Sequence, residues 1–182
     1  MSHYDIIIIG TGAGGGTLAH KLASSGKKML ILERGNFIPR EKENWETKAV
    51  FNQGRYKAKE TWYDKNAKTF HPGIHYCVGG NTKVYGSALL RLREKDFEEL
   101  THKDGVSPEW PIKYADLAKY YTEAEHMYHV HGERGSDPTD PPEDTPYRHA
   151  PLAHEPRVQK LFDDLKKCGH HPFPQWEGEK GG

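Results

Sequence analysis

Residues 4–16, Tyr-Asp-Ile-Ile-Ile-Ile-Gly-Thr-Gly-Ala-Gly-Gly-Gly, limit the fold of this chain more than any other stretch. Ile6 to Ile9 is an unbroken β-branched run, which predicts a strand buried on both faces of a parallel sheet. Gly10, Gly12 and Gly15 then complete a G-x-G-x-x-G pattern, with Gly14 and Gly16 as extra glycines. A chain leaving such a strand must turn tightly at Gly10 and bring its backbone against a pyrophosphate at Gly12. At Gly15 it must pack a helix closely on the strand. The first N–H groups of that helix, with its dipole, then face the anion.

The glycine pattern alone is weak, and its surroundings give it weight. Leu18, Ala19, Leu22 and Ala23 form an apolar stripe at helical spacing, Gly26 stands where the helix ends, and Met29–Leu32 reads as a second buried strand. Glu33 follows it, roughly 20 residues beyond the glycines, where a carboxylate accepts hydrogen bonds from the ribose 2′- and 3′-hydroxyls. Strand, glycines, helix, strand and acid in that order predict a dinucleotide site. The acid disfavours NADP, whose 2′-phosphate would meet a like charge.

Composition narrows the partners. The 26 basic and 26 acidic residues cancel, so charge does not point to nucleic acid or an acidic membrane. Cys77 and Cys168 lack metal or redox-pair spacing and read as two reduced thiols. The first strand begins within a few residues of Met1 and no apolar run nears membrane-spanning length, which predicts a cytoplasmic protein without a membrane span. His129 and His131, with His170 and His171, invite a metal reading, but no Cys, Asp or Glu stands at a spacing that completes a tetrahedral site. No metal is expected.

Further along, residues 41–59 are polar and partly helical, and Gly54 interrupts them. Residues 60–63 and 68–70 flank a turn at 64–67 and predict a hairpin. Residues 76–91, Tyr-Cys-Val-Gly-Gly-Asn-Thr-Lys-Val-Tyr-Gly-Ser-Ala-Leu-Leu-Arg, form the second informative stretch. Gly79 and Gly80 allow backbone to approach a flat ligand, and Asn81 and Thr82 offer short polar groups beside it. Read alone, the same stretch also fits a turn leading into a strand. Residues 114–128 predict an amphipathic helix with Leu117, Tyr121, Ala124 and Tyr128 on one face. The proline-rich, acidic stretch 136–156 reads as an irregular connection across the surface. Pro156 opens a further helix whose buried face is Val158, Leu161, Phe162, Leu165 and Cys168, and Gly169 ends it.

These residues carry a resemblance. The opening fingerprint, ending Leu-Glu-Arg-Gly at Gly35, resembles the FAD-binding start of the glucose–methanol–choline (GMC) oxidoreductases. Residues 76–88 resemble that family's second, Gly-Gly-containing signature near the flavin. Glu109-Trp110-Pro111-Ile112 with Tyr114-Ala115-Asp116-Leu117 is similar to the segment that follows in the sugar-dehydrogenase-like branch. The resemblance implies an α/β fold, with a Rossmann-like FAD-binding βαβ core, irregular and helical insertions and an incomplete sheet. It implies oxidation of an alcohol or sugar CH–OH group by hydride transfer to flavin, with an electron acceptor the sequence does not identify. Gly10, Gly12 and Gly15 would hold the pyrophosphate, Glu33 the adenosine ribose, and Gly79, Gly80, Asn81 and Thr82 the flavin side. Val84 stands where histidyl-flavin members carry the linking His, and Tyr85 where many carry Asn, so noncovalent FAD is expected. The family's substrate domain and catalytic His match nothing in these residues; His71 and His75 are weak stand-ins for that base. The expectation is an incomplete FAD-binding domain over 1–182 (fingerprint 1–35, flavin-side loop 76–91, connection 136–156), with the catalytic residues outside it and no turnover of its own. An NAD-linked dehydrogenase and a nucleotide-binding module without catalysis are the alternatives.

Overall fold

In the computed structural model, residues 3–86, 88–143 and 145–174 are described. They are helices and strands in small two-stranded sheets, with no closed barrel among the described residues. The chain divides into two compact units, Met1–Tyr85 and Gly86–Gly182, so that residues 86–91 of the second glycine stretch fall in the second unit.

The first unit opens with β1 (Ile6–Ile9), α1 (Ala13–Leu22) and β2 (Met29–Leu32). The two strands pair in parallel, Ile6 opposite Met29 through Ile9 opposite Leu32, as the glycine fingerprint requires. A short 3₁₀ turn follows α1, and Gly26 ends it in the left-handed conformation at φ 71°. One expectation needs correction. Side chains alternate across a strand: Ile8 is buried on the α1 side, while Ile7 and Ile9, on the other, are 58% and 84% exposed. Nothing among the described residues covers that second face, so β1 is not buried on both sides.

β3 (Trp62–Tyr63) and β4 (Thr69–Phe70) form the expected antiparallel hairpin. Asp64 builds its turn: the Asp64 carboxylate accepts the N–H groups of Asn66 and Lys68 at 2.8 and 2.9 Å. Residues 41–59 hold a 3₁₀ turn (Lys42–Trp45) and a π turn (Lys48–Asn52), whose Ala49 and Val50 are buried. Glu41 ties this segment together by accepting from Arg55 Nε at 2.8 Å and from the Tyr56 hydroxyl at 2.7 Å. Those bonds, Arg55 first, hold its carboxyl down at about 2.

The second unit contains the hairpin β5 (Leu100–His102) and β6 (Gly105–Ser107), α2 (Tyr114–Met127) and α3 (Pro156–Lys167). Its aromatic centre is Phe97, 2% exposed, whose ring lies 6.2 Å from Trp110 and 6.3 Å from Tyr114. Asp116 starts α2 by accepting the backbone N–H of Lys113 at 2.8 Å, a cap supplied from the first turn. The expected apolar face of α2 is half-buried, whereas the fully buried positions are Tyr114 and Glu125.

Glu125 is buried because Arg91 meets it with two parallel bonds, Nε to Oε1 and Nη2 to Oε2, each 2.6 Å. Arg91 also donates to Glu143 at 2.9 Å, to the Tyr114 hydroxyl at 3.0 Å and to Thr122 at 3.0 Å. Burial works against the Arg91 charge, but the bonds to Glu125, Tyr114 and Glu143 outweigh it and push the guanidinium further up. Burial likewise opposes the Glu143 charge; bonds from the Thr145 N–H, Thr122 and Arg91 nevertheless bring its carboxyl to about 2. Arg134 also bonds Glu125, at the Oε2 that Arg91 Nη2 reaches, and Arg93 pairs with the buried Asp137 at 2.9 Å. The stretch 136–156 is irregular, as its prolines require, but Asp137 and Glu143 are drawn inward by these arginines.

α3 begins with Pro156 in its first turn and is followed by Gly169 at φ 81°, both as expected. Its face is another correction. No residue of α3 is buried; Val158 and Leu161 are exposed, and so is Cys168 beyond its end. The face lines an open groove of ~490 Å³ with Leu152, His154 and Phe173, which covers Phe162 and Leu165 only in part.

Candidate functional site

The site forms in the first unit, where three chain segments meet. β1 ends at Gly10, whose N–H donates to Leu32 O at 2.7 Å and whose φ of 94° only glycine adopts without strain. The turn then folds back so closely that a Cβ on Gly15 would stand 2.0 Å from the Gly10 carbonyl oxygen and 3.3 Å from Ile8 Cγ2. The third glycine is therefore demanded by backbone-on-backbone packing. Gly12 caps α1 and offers no side-chain acceptor to its first turn, while the places a Cβ would take at Gly10 and Gly14 are open for 4 Å.

The second segment is residues 33–36. Glu33 stands directly after β2, and its carboxylate faces the glycine turn. Its Oε1 accepts the N–H groups of Arg34 and Gly35 at 2.7 and 3.0 Å. Its Oε2 accepts the Thr11 N–H at 2.9 Å and the Thr11 hydroxyl. Led by the Thr11 hydroxyl and the Gly35 N–H, these bonds hold the carboxyl down at about 2, so it is ionised at neutral pH. Gly35 is a site glycine that spacing arguments miss: a Cβ there would stand 2.0 Å from the Tyr76 carbonyl.

The third segment is the second glycine stretch. Asn36 bridges Cys77 in parallel, and Val78 donates its N–H to Asn36 O at 3.1 Å. Gly79 (φ 94°) and Gly80 (φ 55°) then lead into a 3₁₀ turn, Gly80–Val84. A Cβ on Gly80 would lie 3.9 Å from Gly12 Cα, and one on Gly12 would lie 4.0 Å from Gly79 O. The two glycine motifs, far apart in sequence, thus meet backbone to backbone. Thr11 joins them, because its hydroxyl also accepts the Gly79 N–H at 2.9 Å.

Asn81 is turned into its own loop. Its Oδ1 accepts from the His75 N–H and lies 2.9 Å from His75 Nδ1, and its Nδ2 donates to Gly73 O. His75 is accordingly buried. Thr82 is half-buried, with its N–H on Gly79 O at 3.2 Å. His71 is engaged by Ala58 O and the Gly73 N–H. Gly10, Gly12, Gly15, Glu33, Gly79 and Gly80 are therefore gathered in one place. Thr11 and Gly35 complete it and were not singled out as site residues, with only the short polar Thr inside the glycine pattern as a hint; His75, considered above only as a stand-in for the base, is instead bonded into the loop by Asn81.

Both cysteines are free; Cys77 donates to Gly80 O at 3.5 Å, and burial raises its thiol. In the second unit His149 joins His129 and His131, its ring stacked 4.9 Å from His131 and its Nε2 3.2 Å from His129 Nδ1. No group of three or more metal-ligating side chains placed to hold an ion occurs among the described residues. No helix among them is long and apolar enough to cross a membrane.

A parallel strand pair joined through a glycine turn, an ionised acid after the second strand and a second glycine loop against the first form one backbone-lined cradle, with the features a dinucleotide site requires. No protein-family model matches the chain. The chain is 31% identical over 180 residues to the 6‴-hydroxyparomomycin C oxidase of Streptomyces lividus, covering 94% of this chain and 31% of that protein. It is 28% identical over 129 residues to an uncharacterized GMC-type oxidoreductase of Sinorhizobium fredii, covering 66% of this chain and 23% of the other. Among solved structures, pyridoxine 4-oxidase from Mesorbium loti superposes with a TM-score of 0.42 at 24% identity, over 52% of this chain and 20% of that one. The chain belongs to the GMC oxidoreductases, and it spans about a third of the length of the first of these relatives.

Proposed function

We propose that this chain is the FAD-holding portion of an oxidoreductase that acts on the CH–OH group of a small alcohol or sugar. The observation that carries the reading is the meeting of the two glycine motifs, Gly12 against Gly79 and Gly80, beside the ionised Glu33. The residues fit the cofactor: the turn is bare of side chains where a pyrophosphate approaches, and the acid stands where a ribose is held. Family membership and the oxidase activity in the Streptomyces lividus relative's name support the substrate class. β1, α1 and β2 are the start of a Rossmann-like core within one incomplete FAD-binding domain.

Gly10 sets the turn, Gly12 brings backbone to the pyrophosphate, and Gly15 lets α1 seat against it. Glu33 accepts the ribose hydroxyls, and Gly79, Gly80, Asn81 and Thr82 form the flavin side, with Asn81 shaping the loop through His75. When bound, FAD supplies the hydride acceptor. Val84 offers no nucleophile for a covalent link, so the cofactor is held noncovalently. None of these residues is assigned removal of the hydroxyl proton. The free thiols Cys77 and Cys168 suit the reducing cytoplasm.

The test is reconstitution of the purified chain. Incubation with FAD and desalting is expected to leave about one yellow flavin per chain that acid precipitation releases intact. Retention of NAD in place of FAD would instead make this the nucleotide site of an NAD-linked dehydrogenase.

A further inference from the structure

The Glu33 carboxylate is already saturated. Two oxygens offer about four lone-pair positions in all, and the four donors named above fill them: Arg34 N, Gly35 N, Thr11 N and Thr11 Oγ1. A ribose hydroxyl reaches Glu33 only by replacing one of them. Three are backbone N–H groups fixed by the turns they belong to. The fourth, the Thr11 hydroxyl, moves by rotation about a single side-chain bond. That same hydroxyl is the acceptor of the Gly79 N–H, across 68 residues of sequence, at the entry to the 80–84 turn.

We propose that Thr11 is a positioning residue that couples the two ends of the cradle: a ribose hydroxyl displaces its hydroxyl from Glu33, and the Gly79 N–H is thereby released to the bound ligand. The inference rests on the reading of Glu33 as the ribose acceptor. One O–H···carboxylate bond is exchanged for another of the same kind, so that half of the exchange is close to neutral. The cost falls on Gly79, whose N–H loses its partner until the ligand supplies one. Binding at the adenosine end therefore loosens the flavin-side loop before the flavin is in place.

The test is amide hydrogen exchange at Gly79 and through residues 80–84 in the full chain, with ADP as a probe that carries the ribose and no flavin. ADP is expected to speed exchange at Gly79, and 2′,3′-dideoxy-ADP to leave it unchanged while binding about as tightly, because the exchange at Glu33 is close to neutral. Thr11→Val is expected to exchange fast at Gly79 without ligand, to gain nothing further from ADP, and to bind ADP about 3- to 10-fold more tightly, because no hydroxyl competes for Glu33. Thr11→Ser, which restores the hydroxyl, is expected to behave as the unsubstituted chain and guards against a folding defect in the valine variant. Slower or unchanged exchange at Gly79 on ADP binding to the unsubstituted chain would overturn the coupling. Equal affinity of the Thr11→Val chain, in which no hydroxyl competes, for ADP and its dideoxy form would overturn the reading of Glu33 itself.

Discussion

In residues 1–85 the closest approaches are backbone against backbone, at Gly15 on Gly10, Gly35 on Tyr76, and Gly12 on Gly79 and Gly80. In residues 86–182 the organising contacts are made by long charged side chains, Arg91, Arg134, Glu125 and Glu143, folded into the interior. The first arrangement leaves space and backbone N–H groups for a ligand; the second fills its space with ion pairs and holds an irregular chain in place. The difference sets how each region should fail. A cradle of glycines is damaged by adding an atom. A buried ion network is damaged by removing one charge, because the others then lie uncompensated out of water.

The largest effect is expected at Arg91. Arg91→Met leaves Glu125 and Glu143 without their shared cation and should cost about 3–5 kcal/mol in denaturant unfolding. Adding Glu143→Gln to it should recover part of the loss, since Arg134 still pairs with Glu125 and the carboxylate left without a cation is removed as well. A loss comparable to that of an exposed ion pair, about 0–1 kcal/mol, would break the contrast between the two regions.

Next in size is Gly15→Ala, whose new methyl meets the Gly10 carbonyl at 2.0 Å. Overpacking costs about 1–3 kcal/mol, and here toward the upper end because the obstructing atom is backbone. Retained FAD should fall with it. Gly14→Ala, one residue away in the same helix and open on its Cβ side, should do the opposite and stabilise by about 0.5–1 kcal/mol.

Acid titration distinguishes the regions less strongly. Glu33 and Glu143 are both held at about 2, below the ordinary 4.5. A carboxyl whose folded value is depressed contributes stability above about pH 4.5 and loses it as pH falls toward about 2. Unfolding midpoints followed from pH 6 to pH 3 should therefore decline, and Glu33→Gln and Glu143→Gln should each flatten the decline. A profile unchanged by both substitutions would mean that neither carboxylate gains its bonds on folding.

The smallest effect is expected on α3. Leu161→Lys should change stability by no more than about 0.5 kcal/mol, because Leu161 lies open to solvent. A loss above about 1 kcal/mol would show that a further surface covers this face.

Much of the local structure was legible in the residues. β1, α1 and β2, the 60–70 hairpin, α2 and α3 lie where periodicity, turn residues and Pro and Gly punctuation put them, because those signals act within a few residues. Residues of all three of the cradle's segments were legible for the same reason, since glycine spacing records a local turn and Glu33 follows directly on the second strand. The β5–β6 hairpin was missed although Asp104-Gly105 is a turn dipeptide, because its three-residue strands carry too few apolar residues to show an alternating run on either side.

The tertiary structure alone decided what meets what. Arg91 finds its carboxylates 34 and 52 residues away, and the Thr11 hydroxyl reaches Gly79 across 68, distances at which no spacing rule operates. Burial was decided there too. An apolar stripe records which side of an element can be covered, but Ile7, Ile9, Val158 and Leu161 remain exposed because covering depends on what the fold places opposite. The sequence by itself thus determined the glycine turn and the order of the elements around it, while long-range packing determined which side chains complete the candidate site.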